Sequence, residues 1–228
     1  MTTLGLAGSP LWYASRAGGT IALMLLTATV VLGIASGGRT APRRIGRFEI
    51  ALLHRNLSLL AVVFLAGHVV TAVLDPFVHL GWTVAVVPFG APYRPLWLAL
   101  GTVALDLLLA VLVTSALRRR LGVRRWKAVH WFAYAAWPLA LFHSAGTGTD
   151  TRLPLQLWLY AGCLTGVVGA VWWRLAKAGP GRVVGRLVAS VAVVAVPVVL
   201  TAFLAAGPLQ PGWSQRAATG TILLGGGR

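Results

Sequence analysis

The sequence predicts an all-α integral membrane protein that crosses the bilayer with six helices. Of its 228 residues, 57% are hydrophobic and only 11% are charged, against about 25% charged residues in an ordinary soluble domain. Six apolar segments alternate with short polar connections, and the basic residues concentrate in every second connection. This composition excludes a soluble globular enzyme, and also a disordered chain, which would be polar and poor in Leu and Val.

Each apolar segment approaches or exceeds the about 20 residues that a membrane-spanning helix needs. None alternates like a barrel strand, and lipid does not tolerate open backbone, so we expect a helix for each. The segments are approximately 11–35, 49–74, 95–117, 128–145, 155–173 and 183–206. We therefore expect one six-helix domain over residues 1–206, followed by an irregular extracytoplasmic tail over residues 207–228.

The basic residues predict the orientation of these helices. Four, six and four of them follow the first, third and fifth segments, the last group reaching Arg186, whereas the opposite connections carry only Arg94 and Arg152. Because basic loops stay in the cytoplasm, both termini are expected outside, in a membrane of the bacterial cytoplasmic type. The net charge of +16 follows the same pattern. It therefore predicts topology and lipid contact rather than nucleic-acid binding.

Four of the five histidines fall inside the second and fourth apolar segments, where ionisable side chains are rare. His54 and His68 are 14 residues apart, which is about 21 Å along a helix and nearly the same face. His130 and His143 are 13 residues apart, or about 20 Å. Both segments begin at the cytoplasmic side, so His54 matches His130 in depth, and His68 matches His143.

Two imidazoles from facing helices can hold a haem iron, and two such sites stacked across a bilayer would form a path for electrons. Ligation at both axial positions suits electron transfer better than binding of a further ligand at iron. Cys163 is the only cysteine and no C-x-x-C-H occurs, so covalent attachment of haem is not expected.

The fourth segment poses a geometric difficulty for this interpretation. Thirteen residues of ideal helix leave the two rings about 140° apart. Pro138 lies between His130 and His143 and should kink the helix. The sequence leaves open whether the kink brings both rings to one side or whether the two haem planes are rotated relative to each other.

Two functions from other classes remain open at this point. A proton-coupled transporter would use the histidines as a relay, but the sequence shows neither inverted repeats nor broken mid-membrane helices. A non-catalytic membrane scaffold would leave four depth-matched histidines unexplained. The roles of His79, in an outer connection, and of Asp106, the one acid deep in an apolar segment, are not predicted.

The spacing and the loop charges together resemble the ferric reductase-like transmembrane domain. That family includes the membrane part of NADPH oxidases, ferric reductases and the haem-binding membrane subunit of the bacterial methionine sulfoxide reductase system. Its pattern is two histidines 14 apart on one helix and two 13 apart on the second helix after it, as in His54/His68 and His130/His143. Four stretches are also similar to small bacterial members: LWYASRAGG, LLHRNLSLL, PYRPLWLALG and KAVHWFAY. The resemblance covers about residues 11–206.

The resemblance implies two non-covalent b haems, an inner one on His54 with His130 and an outer one on His68 with His143; a one-haem version stays open. It implies electron flow outward through a subunit of an oxidoreductase rather than a complete enzyme. The cytoplasmic flavin- and nicotinamide-binding domain of NADPH oxidases is not expected, since no G-x-G-x-x-G follows a predicted strand. The expected partners are lipid, an extracytoplasmic acceptor, and a separate cytoplasmic flavoprotein or membrane quinol as donor. The alternative is a quinol-fed haem subunit of an extracytoplasmic reductase such as methionine sulfoxide reductase.

Further residues are candidates to support the haems. Arg16 and Arg55 are candidates for contacts to the anionic propionates, the other interpretation being anchoring or snorkelling at the membrane interface. Trp131 and Phe142 adjoin the candidate ligands and are candidates to pack against haem. The basic run Arg118–Lys127 is interpreted as a topology signal and lipid contact, and as a docking place for a cytoplasmic donor.

Overall fold

A computed structural model describes residues 9–36, 46–76, 80–177, 183–213 and 215–216. These residues are mostly helical, and no strand occurs among them. The α-helices are α1 Pro10–Ser36, α2 Arg47–Leu74, α3 Pro95–Ala116, α4 Arg118–His130, α5 Phe132–Thr147, α6 Pro154–Ala176 and α7 Val183–Ala206, with short 3-10 helices at Trp82–Ala85 and Thr149–Arg152. Outside the described ranges lie His79, four of the basic residues counted in the predicted connections (Arg39, Arg43, Arg44 and Arg182), and residues 214 and 217–228 of the predicted tail.

Five helices within the described ranges, α1, α2, α3, α6 and α7, are long and apolar enough to cross a membrane. The chain is therefore an all-α, multi-pass membrane protein, as the composition predicts. The fourth predicted segment is divided between the last turn of α4 and α5, with Trp131 between them. Alone, α5 has 16 residues, fewer than the about 20 of a typical span. The sixth span and the orientation of the loops remain predictions.

The basic connection after α3 is itself helical. Its helix α4 is rich in Arg, a good helix former, and Gly122, at φ 76°, divides it into two helical pieces. The Arg118 guanidinium lies 4.2 Å from the centroid of the Trp126 ring. The six basic side chains between residues 118 and 127 are all exposed. This helix therefore presents a strongly positive surface in place of the predicted loop.

The chain folds as two compact units, and α1 and α2 each contribute to both. The first unit comprises Met1–Leu23, Val62–Gly148 and Ser214–Arg228; the second comprises Met24–Ala61 and Thr149–Trp213. His68, His130 and His143 fall in the first unit and His54 in the second.

In the first unit, α3 packs closely on α5 because small residues line the contact. The buried positions of α5 include Ala136, Ala145 and Gly146, and α3 contributes Ala99 and Ala104. Small side chains let two helix backbones approach each other, which is how helices associate in a membrane. This packing determines where the side chains of α5 lie against α3.

In the second unit, α6 packs on α7, and arginines tie other segments to this pair. Arg174 donates to the carbonyl of Ile34, over 2.7 Å. Arg152 donates through Nε to the carbonyl of Pro208, over 3.1 Å. The hydrogen bond from Arg152 thus connects the segment 207–213, which follows α7, to the 3-10 helix before α6.

Candidate metal centre

The rings of His68 and His143 lie next to each other in the first unit. Their centroids are 6.2 Å apart and their planes make an angle of 75°. His68 belongs to the outer half of α2 in the predicted orientation, and His143 to the last turns of α5. The structure thus places next to each other two histidines that the sequence analysis paired only by their predicted depth in the membrane.

His143 is oriented by the main chain of α3. Its Nδ1 lies 2.8 Å from the carbonyl oxygen of Trp97. A carbonyl only accepts, so Nδ1 carries the hydrogen and Nε2 keeps a lone pair. The ring lies directly against Gly101, where an added Cβ would be 2.5 Å from Nδ1.

His68 has the same arrangement with α1. Its Nδ1 lies 2.7 Å from the carbonyl oxygen of Ser15, and the Ser15 hydroxyl oxygen is 3.3 Å from the same nitrogen. A Cβ added at Gly19 would lie 2.9 Å from the ring. Again Nδ1 donates to the main chain, and Nε2 is the nitrogen with a lone pair.

This pair fits a metal ion held between two imidazoles. Metal-bound histidines usually donate their second ring N–H to a carbonyl or carboxylate, as both rings do here. Imidazoles that bind one ion from opposite sides, each through a metal–nitrogen bond of about 2 Å, have ring centroids about 6 Å apart. The observed 6.2 Å agrees with that separation.

His54 has a similar environment in the second unit. Its Nδ1 lies 3.0 Å from the carbonyl oxygen of Thr29, and a Cβ added at Gly33 would lie 3.3 Å from its ring. His130, in the first unit, packs on Trp126 with ring centroids 5.0 Å apart. Because His54 and His130 belong to different units, their pairing stays a prediction.

The other candidate residues differ in burial. Arg16 is half-buried in the first unit, with its guanidinium 4.9 Å from the centroid of the Trp12 ring. Phe142 is half-buried beside His143, whereas Arg55 is exposed and Trp131 is 66% exposed. Asp106 is half-buried within α3. Their roles toward a cofactor remain predictions.

Arg94 was not among the predicted site residues, although it is only 1% exposed. Its Nη1 donates to the carbonyls of Gly146 and Thr147, over 3.0 and 2.8 Å, at the carboxyl end of α5. There the helix dipole favours a cation. Its Nε has no hydrogen-bond partner among the described residues, and burial lowers the pKa of Arg94. A nearby anion would therefore stabilise this charge.

A signal for Arg94 does exist in the sequence. It is the single basic residue of its connection and directly precedes Pro95, the first residue of α3. Pro at that position fixes the start of a helix. The sequence therefore places this arginine next to a helix start, but it does not show the two carbonyls that accept from it.

A comparison with protein families matches residues 18–141 to the ferric reductase like transmembrane component. The match covers more than half of the chain and includes His54, His68 and His130, with His143 just beyond its end. Searches of curated proteins and of solved structures found no match. The histidine spacing, the helices and the family match agree, and the chain belongs to the family of ferric reductase-like transmembrane components.

Proposed function

We propose that the chain is a membrane-embedded di-haem b-type cytochrome that carries electrons from a cytoplasmic donor to an extracytoplasmic acceptor. Membership of the family indicates a membrane redox module, and ferric reductase-like transmembrane domains generally bind haem. The observation that carries the proposal is the His68–His143 pair, 6.2 Å between ring centroids, with both Nδ1 atoms bonded to main-chain carbonyls.

In the outer site, His68 and His143 hold the iron through their Nε2 atoms. Bound haem supplies a one-electron couple. Arg94 and Arg16, both in the first unit, provide positive charge for the anionic propionates. Phe142, next to His143, contributes apolar surface for the ring.

In the inner site, the ligands are His54 and His130, as the family resemblance implies. The bond from His54 Nδ1 to the Thr29 carbonyl supports a ligand role, because it leaves Nε2 with a lone pair. Arg55 provides positive charge for the propionates, and Trp131 apolar surface. The sixth span is α5, together with the last turn of α4.

The donor docks on α4. The exposed basic side chains of this helix suit an acidic cytoplasmic protein, since opposite charges steer two proteins together and fix their orientation. A separate flavoprotein is the donor chemistry that fits a docking surface of this kind. A membrane quinol would not need the charges of α4.

The test is a dithionite-reduced minus oxidised visible spectrum of the purified chain, with haem quantified per chain. We expect two b haems, falling to one in His68→Ala and to one in His54→Ala. His79→Ala is the control for loss of a histidine outside the proposed ligand set. It should keep both haems.

A colourless protein from haem-sufficient cells would overturn the proposal and would favour a transporter that uses the histidines as a proton relay. A single haem that survives His54→Ala but not His68→Ala would reduce the proposal to one centre. In that case the path across the membrane would not be supported.

A further inference from the structure

Three histidine rings share one arrangement against a neighbouring helix. In each, Nδ1 lies within hydrogen-bond distance of a main-chain carbonyl, and the ring lies against the glycine four residues after that carbonyl. The combinations of histidine, carbonyl and glycine are His68 with Ser15 and Gly19, His143 with Trp97 and Gly101, and His54 with Thr29 and Gly33.

The spacing of four has a physical reason. The carbonyl of residue i in an α-helix accepts the N–H of residue i+4. Cα–Cβ bonds in a helix tilt toward its N-terminus, so the side chain of residue i+4 covers the turn that contains this carbonyl. A glycine at i+4 has no side chain over this turn, so a ring from another helix can lie flat against it and reach the carbonyl as a second donor.

We propose that Gly19, Gly101 and Gly33 are positioning residues that fix the orientation and tautomer of the three histidines. The inference rests on the proposed haem ligation and adds how the chain prepares it. With glycine, the ring reaches the carbonyl, Nδ1 holds the proton, and Nε2 presents its lone pair. The hydrogen bond also makes Nε2 a stronger electron donor toward a metal.

The available space predicts a ranking among the glycines. An added Cβ would lie 2.5 Å from the ring of His143 at Gly101, 2.9 Å from that of His68 at Gly19, and 3.3 Å from that of His54 at Gly33. Carbon and nitrogen in van der Waals contact are about 3.5 Å apart or more. Alanine should therefore displace His143 most and His54 least.

The sequence carries an independent regularity. Gly19 and Gly33 are 14 residues apart on α1, the same separation as His54 and His68 on α2. A spacing of 14 is nearly four turns, so it returns both pairs to one face of their helices. The equal spacing lets Gly19 lie against His68 and Gly33 against His54.

The chain offers matched controls. Gly18 adjoins Gly19, yet a Cβ there would make ordinary contact, 3.7 Å from His68 backbone and Cβ atoms. Gly67 precedes His68, and a Cβ there would have no neighbour within 4 Å. These two variants should behave as the unaltered chain.

The experiment compares Gly101→Ala and Gly19→Ala with these controls in the full chain purified in detergent. Haem per chain, haem affinity and the electron paramagnetic resonance spectrum are measured. Gly101→Ala should weaken binding at the His68–His143 site on the order of ten- to a hundredfold, as loss of a bond that orients a metal ligand does. Gly19→Ala should shift the low-spin signal of the same haem and weaken its binding less.

A second readout needs no haem. Ring-¹⁵N-labelled histidine in the haem-free chain reports the tautomer by NMR. The Nδ1–H form should dominate for His143 in the unaltered chain and in Gly67→Ala, and should lose its preference in Gly101→Ala. If Gly101→Ala fails to fold, as judged by circular dichroism and size exclusion, the adjacent pair Gly19→Ala and Gly18→Ala decides.

The possible outcomes distinguish a failure of the proposed function from a failure of the proposed role of the glycines. An unaltered chain without haem overturns the proposed function. A haem-loaded chain in which Gly19→Ala and Gly101→Ala match Gly18→Ala in affinity, spectrum and tautomer overturns the role of the glycines and leaves the proposed function intact.

Discussion

The two units differ in how many candidate ligands each contains. The first unit holds His68 and His143 with ring centroids 6.2 Å apart, each bonded to a main-chain carbonyl. The second unit makes the same kind of bond from His54, at 3.0 Å, but contains no other histidine. The first unit therefore has two adjacent candidate ligands among its own side chains, in addition to His130. Its centre can be tested separately from the other.

The largest expected effect is a non-additive loss of haem within the first unit. His68→Ala and His143→Ala should each remove the same haem, so the double variant should lose no more than either single one. His54→Ala combined with His68→Ala should remove both haems. Residues that share one site behave non-additively, and independent sites add. Haem per chain, measured as the pyridine complex, checks this.

Full loss of haem in the His68→Ala/His143→Ala double variant, with half retained in each single variant, would contradict a shared site. It would mean that the two adjacent rings bind different groups. The comparison between the units would then no longer hold.

The next effect concerns stability in the two units. Arg94 is 1% exposed and donates to two carbonyls of α5, whereas Arg174 is half-buried and donates to the carbonyl of Ile34. Removal of a buried charged donor leaves its acceptors unsatisfied, so Arg94→Ala should lower the free energy of unfolding by about 3 kcal/mol and Arg174→Ala by about 1 kcal/mol. Denaturant unfolding in detergent measures both.

Arg186→Ala, an exposed arginine of α7, is the control and should change stability little. If Arg94→Ala and Arg174→Ala lower the free energy of unfolding equally, the deeper burial of Arg94 does not make its bonds contribute more to stability. A smaller outer-haem affinity in Arg94→Ala, in excess of the stability change, would support its contact with a propionate.

The smallest effect is kinetic and concerns α4. Replacing Arg118, Arg119 and Arg120 by Gln should raise the KM for a cytoplasmic flavoprotein donor several-fold, equivalent to on the order of 1 kcal/mol, and reduce its dependence on salt. Both haems should remain. The control replaces Lys177 and Arg186 by Gln, which removes positive charge from the same predicted side. Unchanged donor turnover in the α4 variant would argue for a quinol donor.

The sequence predicted much of the fold because the relevant signals are local. Apolar length predicted six spans, and five of them are confirmed within the described residues. The family resemblance identified the domain, and the family match confirms it. The predicted depth of each histidine in the membrane also paired His68 with His143. The about 140° discrepancy for His130 and His143 assumed one continuous helix. In the structure they lie on α4 and α5, separated by Trp131, whose backbone stays helical at φ −63° and ψ −22°. Whether both rings face one side therefore remains a prediction.

Other features depend on contacts between helices that no local pattern specifies. The carbonyl–glycine spacing of Trp97 and Gly101 is visible in the sequence, but nothing there shows that His143 is their neighbour. The run 118–127 looked like a loop because charge marks a connection, yet Arg and Lys also form helices well. Arg94 resembled an ordinary loop charge until its two carbonyl acceptors were known.

Trp97 contacts α5 at two points that are three residues apart. Its carbonyl accepts the N–H of His143, and its indole ring lies where a side chain at Gly146 would have to be. Two contacts at this separation fix the rotation of α5 about its own axis as well as its distance from α3. A one-residue deletion between Trp131 and Pro138 would therefore leave His143 in register with α3. Because one residue of helix corresponds to a rotation of about 100°, His130 would instead be rotated by that angle about the helix axis. The position of His143 against α3 is thus independent of the position of His130, and a change of chain length between the two histidines moves only His130.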